Sequence, residues 1–324
     1  MYKVILPLVS SVCLLSACGG GSDNSSSNTA PPAQTSNKTN FSMNVSDAPV
    51  DNATKVVVYF DAITLEGNGD PIVIDVKDEN SEAKSVDLLT VQGSDFASLV
   101  TDVEIPTGEY SQIRLHVTDE SYIEMLGGTF NLRVPSGELK LDGITAQANV
   151  EAAYTVEFDL RKSLVDPVGQ QAVFLKPRGV RLVANNDIGT INGTVSTDLI
   201  NDESCASKTD MEMGNAVYIY QGEHTDMTLL GDDADEPENQ DEVTPFTTAA
   251  VNFNDDTQAY EFEAGYVPTG EYTVAFSCMA QIDEPETDQN AQDGFSFLAS
   301  QSAMVEANQT THVEFTATEQ ASGE

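Results

Sequence analysis

Pro106-Thr107-Gly108-Glu109-Tyr110-Ser111-Gln112-Ile113-Arg114-Leu115-His116-Val117 holds a turn and a strand in twelve residues. Pro fixes φ at about −65° and has no N–H for a ladder, while Gly reaches positive φ, so Pro106-Thr107-Gly108 suits a tight link between strands. Behind it, Ile113, Leu115 and Val117 alternate with Gln112, Arg114 and His116. A period of two gives one buried face and one wet face, the mark of a β-strand. The turn recurs as Pro268-Thr269-Gly270-Glu271-Tyr272, again entering a strand. Each Tyr is expected to pack at its corner with its hydroxyl bonded to nearby backbone. The repeat predicts one structural device used in two related sandwiches.

Outward from these turns, strand signals dominate. Residues 55–60 and 62–65 are β-branched and aromatic up to a turn at Gly67-Asn68-Gly69-Asp70, with residues 71–76 as the partner across it. Further strands are expected at 130–134, 153–160, 172–176 and 179–184, with one or two short helical turns within 86–100. A second unit starts at 188–195 and continues with strands at 216–221, 248–253, 259–264, 272–279, 295–305 and 311–316. No segment keeps a 3.6-residue period. The fold class is therefore all-β: two tandem β-sandwiches of immunoglobulin or transthyretin-like type at residues 41–185 and 186–318, with 319–324 as a tail.

The 324 residues carry 14 Lys+Arg against 53 Asp+Glu, a formal charge of −39. Phosphate backbones and anionic lipid surfaces repel such a chain, which sets nucleic-acid binding aside. The charge is uneven: residues 209–324 hold 25 acidic side chains and no Lys or Arg. Repulsion inside that unit is expected to be relieved by salt or divalent cations.

The N-terminus is an address. Met1-Tyr2-Lys3 precedes a mostly apolar run of 12 residues, 4–15, too short to span a bilayer as a helix. Residues 1–17 are a secretory signal peptide. Leu15-Ser16-Ala17-Cys18 resembles the bacterial lipobox, which implies acylation (palmitate among the acyl groups) at Cys18 and membrane attachment through those chains. Gly19, in place of an Asp after that Cys, implies the outer membrane of a Gram-negative bacterium, with the periplasmic or surface face open. Residues 18–40 form a lipidated, flexible tether; the 22 residues 19–40, of Gly, Ser, Asn, Thr and similar composition, reach about 26 Å.

With Cys13 removed and Cys18 acylated, Cys205 and Cys278 remain in an oxidising compartment, where an even pair favours a disulfide over two buried free thiols. Asp232, Asp233, Asp235 and Glu236 offer oxygen ligands of the kind Ca²⁺ prefers, against the alternative of a solvated charge run. Tyr218 and Tyr220 alternate with Val217 and Ile219, which places two rings on an outer face for sugar stacking, or else on a second core face. His224, beside Glu223 and Asp226, is the least bland of three histidines. No Gly-x-Ser-x-Gly elbow, His-Glu-x-x-His or Gly-rich phosphate loop occurs.

Several motifs, in order, resemble a known family. Residues 41–45, Ser46-Asp47-Ala48-Pro49 and residues 56–65 are similar to the opening of the bacterial lipoprotein domain called "domain of unknown function 4382". Val86-Asp87-Leu88-Leu89, the stretch Ile105 to Leu115, Val134-Pro135-Ser136-Gly137, Phe158-Asp159-Leu160-Arg161-Lys162-Ser163 and Leu175-Lys176-Pro177 continue it, over about 41–185. The resemblance implies no activity. Gly189-Thr190-Ile191-Asn192-Gly193-Thr194-Val195 and the second turn resemble a transthyretin-like, carboxypeptidase-regulatory sandwich. The expected function is a non-catalytic binding or scaffolding module of the cell envelope, stabilised by divalent cations, with an envelope protein or a glycan as its ligand. The alternative is a carbohydrate-binding or carboxylate-based hydrolase.

Overall fold

In the computed structural model, residues 37–48, 53–165, 172–232, 241–283 and 294–317 are described. The 14-residue strand Ala53–Glu66 is the spine of the first sandwich. It outruns its neighbours and so changes partners along its length. Tyr122–Met125 and Lys84–Asp87 flank its first half; Gln112–Val117 and Ile72–Asp75 flank its second. The facing sheet runs in the order Val180–Ala184, Ala152–Asp159, Lys38–Ala48, Ala97–Pro106. Phe41, Met43 and Val45 from this sheet meet Val56, Phe60 and Ile63 from the spine, and Phe60 packs on Phe158 at 6.2 Å. The expected alternation holds: Ile113 and Leu115 are fully buried, while Gln112, Arg114 and His116 are partly exposed.

The second sandwich pairs one sheet, Asn252–Asn254, Ala259–Pro268, Ile188–Val195, Thr310–Phe315, with another, Thr247–Ala250, Ala216–Gln221, Gly270–Ser277, Ala299–Val305. Its core gathers Ile191, Val217, Phe262, Val274, Phe276 and Phe315 around the bonded pair Cys205–Cys278, whose S–S distance is 1.99 Å. The chain is thus all-β in two sandwiches.

The two share a plan. Lys38–Ala48 pairs antiparallel with the strand entering the first Pro-Thr-Gly turn and parallel with Ala152–Asp159. Ile188–Val195 does the same with Ala259–Pro268 and Thr310–Phe315. At the turns, Tyr110 Oη donates to the Pro106 carbonyl at 2.8 Å and Tyr272 Oη to that of Pro268 at 2.9 Å. Gly108 and Gly270 take φ of +148° and +153°, which only glycine adopts without strain. Both entering strands carry a bulge, with Asp102 and Tyr266 each at φ +54°.

One expectation is met in its smaller form and one changes. Within 86–100 a single 3₁₀ turn, Leu88–Thr90, is capped by the Asp87 carboxylate, and strands occupy both sides. The expected strand 295–305 begins only at Ala299, because 294–298 crosses the outer face of its own sandwich.

Candidate functional site

The outer face of the sheet Val180–Ala184, Ala152–Asp159, Lys38–Ala48 is not wet. Thr155, Glu157 and Ser46 lie on it, opposite the core residues Val156 and Phe158, yet each is at most 3% exposed. The cover comes from the second sandwich and from residues 91–95, where Ser46 Oγ donates to Val91 O and Asp95 O. Glycine makes the approach possible: a Cβ on Gly265 would fall 2.2 Å from the Gly93 carbonyl. The bulge beside it turns Tyr266 outward, so that its hydroxyl donates to Ser94 O at 3.2 Å. Ser94 in turn donates through N–H and hydroxyl to Glu263 Oε1 at 2.9 and 2.6 Å.

Cations of the first sandwich close the other side. Lys162 Nζ donates to Pro245 O at 2.7 Å, and Arg161 Nη2 donates to Ala280 O. Arg181 sits 4.3 Å from the Phe246 ring centroid and donates to the Phe246 carbonyl at 3.4 Å. Behind it, Arg181 Nη2 lies 2.6 Å from Glu157 Oε2.

Three carboxylates are sealed here: Asp47, Glu157 and Asp159, none more than 3% exposed. Burial pushes the Glu157 carboxyl up to about 7; Arg181 pulls it down and Asp159 adds to the rise. Burial, then the Asp159 charge, holds Asp47 well above the usual carboxylate range, with Gln92 as the polar group that opposes this. Burial and the Glu157 charge push the Tyr266 phenol up to about 12.

Two clefts flank the contact. One, of about 560 Å³, is lined by Asp159, Lys162, Arg178, Arg181, Gln221 and Phe246 among others. The other, of about 370 Å³, offers Asn192, Thr194, Asn252, Glu261, Glu263 and His312 beneath Gln92 and Gly93. Hydrogen bonds from Thr257 and Asn254 hold Glu261 below its usual range, so it is an acceptor and not a proton donor. The carboxyls that are raised, Asp47 and Glu157, line neither cleft.

The residues singled out by sequence are dispersed. Tyr218 and Tyr220 do face away from the main core, but both are 0% exposed. Phe295 and Phe297 cover them at centroid distances of 5.1–6.0 Å, and their hydroxyls donate to Asp283 Oδ2 at 2.6 Å and Gly231 O at 2.5 Å. Neither ring is open to a sugar, a correction whose cause is the segment 294–298. Asp232 is 2% exposed; Asp233, Asp235 and Glu236 lie outside the described residues, as do the signal peptide, Cys18 and most of the tether. Among the described residues no three His, Cys, Asp or Glu converge to hold a metal. His224 Nε2 sits 2.7 Å from Gln221 O in its own turn, His116 2.8 Å from Thr64 Oγ1, and His312 3.0 Å from Asn192. The sealed trio was missed, although Asp47 and Asp159 stand in the quoted motifs Ser-Asp-Ala-Pro and Phe-Asp-Leu: a charged residue amid an apolar strand was the available signal.

The first sandwich, with Asp47 and Asp159 buried at the ends of paired parallel strands, is where the family match falls. Residues 38–177 match the family model of DUF4382, a domain of unknown function. The matched residues include Glu157 and the cations Arg161 and Lys162, while Arg181 stands just past them. No curated protein matches the chain. Among solved structures, the Bacillus anthracis TIE protein is 11% identical at a TM-score of 0.17, over 86% of this chain and 34% of that one. A Bacteroides ovatus fimbrial protein is 6% identical at a TM-score of 0.19, over 87% and 49%, and the Streptococcus agalactiae minor pilin GBS52 is 8% identical at 0.17, over 88% and 100%. The chain spans about a third and about half of the first two. At such TM-scores these likenesses say nothing of a shared site. No described helix is long and apolar enough to cross a membrane.

Proposed function

We propose that this chain is an exported, lipid-anchored envelope protein whose two sandwiches act as one non-catalytic binding or scaffolding body. The observation that carries the reading is the glycine-close, cation-bridged contact between the sandwiches, which joins the two modules. The Cys205–Cys278 bond supports an oxidising compartment. The lipobox-like Leu15-Ser16-Ala17-Cys18 supports an acyl anchor, and Gly19 supports the outer membrane. Stable anchoring takes more than one acyl chain, each buried methylene contributing about 0.8 kcal/mol. Labelling of the full chain with radioactive palmitate, followed by membrane fractionation, tests this. Label on the wild-type chain, and none with a soluble product for Cys18→Ser, is expected; an unlabelled wild-type chain overturns the anchor.

The 370 Å³ cleft is the ligand site we favour within that role, because the Gln92 amide of the first sandwich meets amides, a hydroxyl, an imidazole and two carboxylates of the second there. Such a lining suits a neutral glycan. Glycan-array binding by the wild-type protein, lost on Asn192→Ala with Asn252→Ala, is the expected result; a blank array retires the glycan.

A further inference from the structure

Glu157 stands on the outer face of Ala152–Asp159, with its Cα partnered by Ser46 on one side and Arg181 on the other. Its own sandwich does not bury it; the core lies on the opposite face. It is sealed because Phe246 stacks on Arg181 and Tyr266 comes to Thr155. One guanidinium, Arg181, faces it at 2.6 Å. Opposing that are Asp159 on the same strand, Asp47 on the neighbouring one and, beyond Asp47, Asp87 on Lys84–Asp87. From the second sandwich, Tyr266 brings a neutral phenol, and Thr247–Ala250 packs against Lys38–Ala48 with buried, uncharged Thr247 and Thr248. Lys162 and Arg178 line the cleft on the Asp159 side, donating to Pro245 O and Lys162 O.

We propose that the contact between the two sandwiches is a proton-operated latch: Glu157 holds them together most firmly when protonated, and its ionisation loosens them. An ionised carboxylate sealed among other carboxylates lacks water, and parting the sandwiches restores it. A protonated one gives up the charge of Arg181 at 2.6 Å but escapes that desolvation and the repulsion of Asp159, which together outweigh it. The open form therefore binds the proton more weakly than the closed form, and linkage makes closure tighten as pH falls. The raised Glu157 carboxyl, at about 7, sets the upper edge of the pH range over which closure weakens. The latch does not depend on the anchor or on any glycan.

The chain contains no Trp, so Phe246→Trp places a single reporter under Arg181 in the otherwise intact full-length protein. Its emission is expected to shift to the red, reversibly, as pH rises from about 4.5 to about 7, and to change no further above that value. Adding Glu157→Gln is expected to abolish the shift and keep the emission blue throughout. No shift in the parent reporter, or an equal shift with Glu157→Gln, overturns the latch. If Glu157→Gln fails to fold, Gly93→Cys with Glu263→Cys replaces it. A Cβ on Gly93 lies 3.5 Å from that of Glu263, within disulfide range. The oxidised crosslink is expected to remove the shift and its reduction to restore it; a shift that survives the crosslink overturns the proposal.

Discussion

Glu157 binds its proton more tightly folded than unfolded, because burial raises its carboxyl from 4.5 to about 7. The stabilisation it contributes is complete below about 4.5 and is lost as pH climbs through about 7, a fall of about 3 kcal/mol. Asp47 acts in the same direction. The thermal midpoint of the chain is expected to drop across that window and Glu157→Gln to flatten the drop; a wild-type midpoint that climbs with pH would refute the assignment. Gly265→Ala drives a methyl against the Gly93 carbonyl, which is backbone and cannot swing aside. A loss of about 1–3 kcal/mol in urea denaturation is expected. Tyr272→Phe removes only the hydrogen bond to Pro268 O and is expected to cost about 1 kcal/mol by the same measurement.

At the scale of elements, strands with one dry face were legible and strands with two dry faces were not. Gln112–Val117 alternates in sequence and in burial alike. Ala216–Gln221 reads the same way, yet five of its six residues are buried, because 294–298 lies over Tyr218 and Tyr220. Nothing local to Tyr218 announces a cover that arrives from 77 residues downstream at Phe295. The short strand Tyr122–Met125 was overlooked because four residues hold too little pattern to count. The Cys205–Cys278 bridge closes a separation of 73 residues, worth about 4 kcal/mol on the loop-entropy model. Cys205→Ala with Cys278→Ala is expected to lower the unfolding free energy by up to that amount, read from urea curves; an unchanged curve would mean the bridge adds nothing.

For the whole molecule, the charge asymmetry takes on a different meaning. Residues 209–324 have no Lys or Arg, but Arg161, Lys162 and Arg181 of the preceding part reach Ala280, Pro245 and Phe246. The acidic sandwich borrows fixed cations from its neighbour, so mobile ions are not its sole relief. Its salt dependence is expected to steepen in Arg161→Ala with Lys162→Ala: calorimetry from low to high NaCl should show a larger rise in melting temperature than wild type. Equal slopes would leave these contacts without electrostatic weight.

By itself the sequence determined the all-β class, the paired Pro-Thr-Gly-Glu-Tyr corners and the DUF4382 match, since strand period, φ preference and motif order are properties of consecutive residues. Only the tertiary structure decided that Glu157 meets Arg181 where Asp47 and Asp159 are also buried, and that two aromatic rings are covered. A side chain's exposure depends on what packs over it, and the covering residues come from segments far away in the chain.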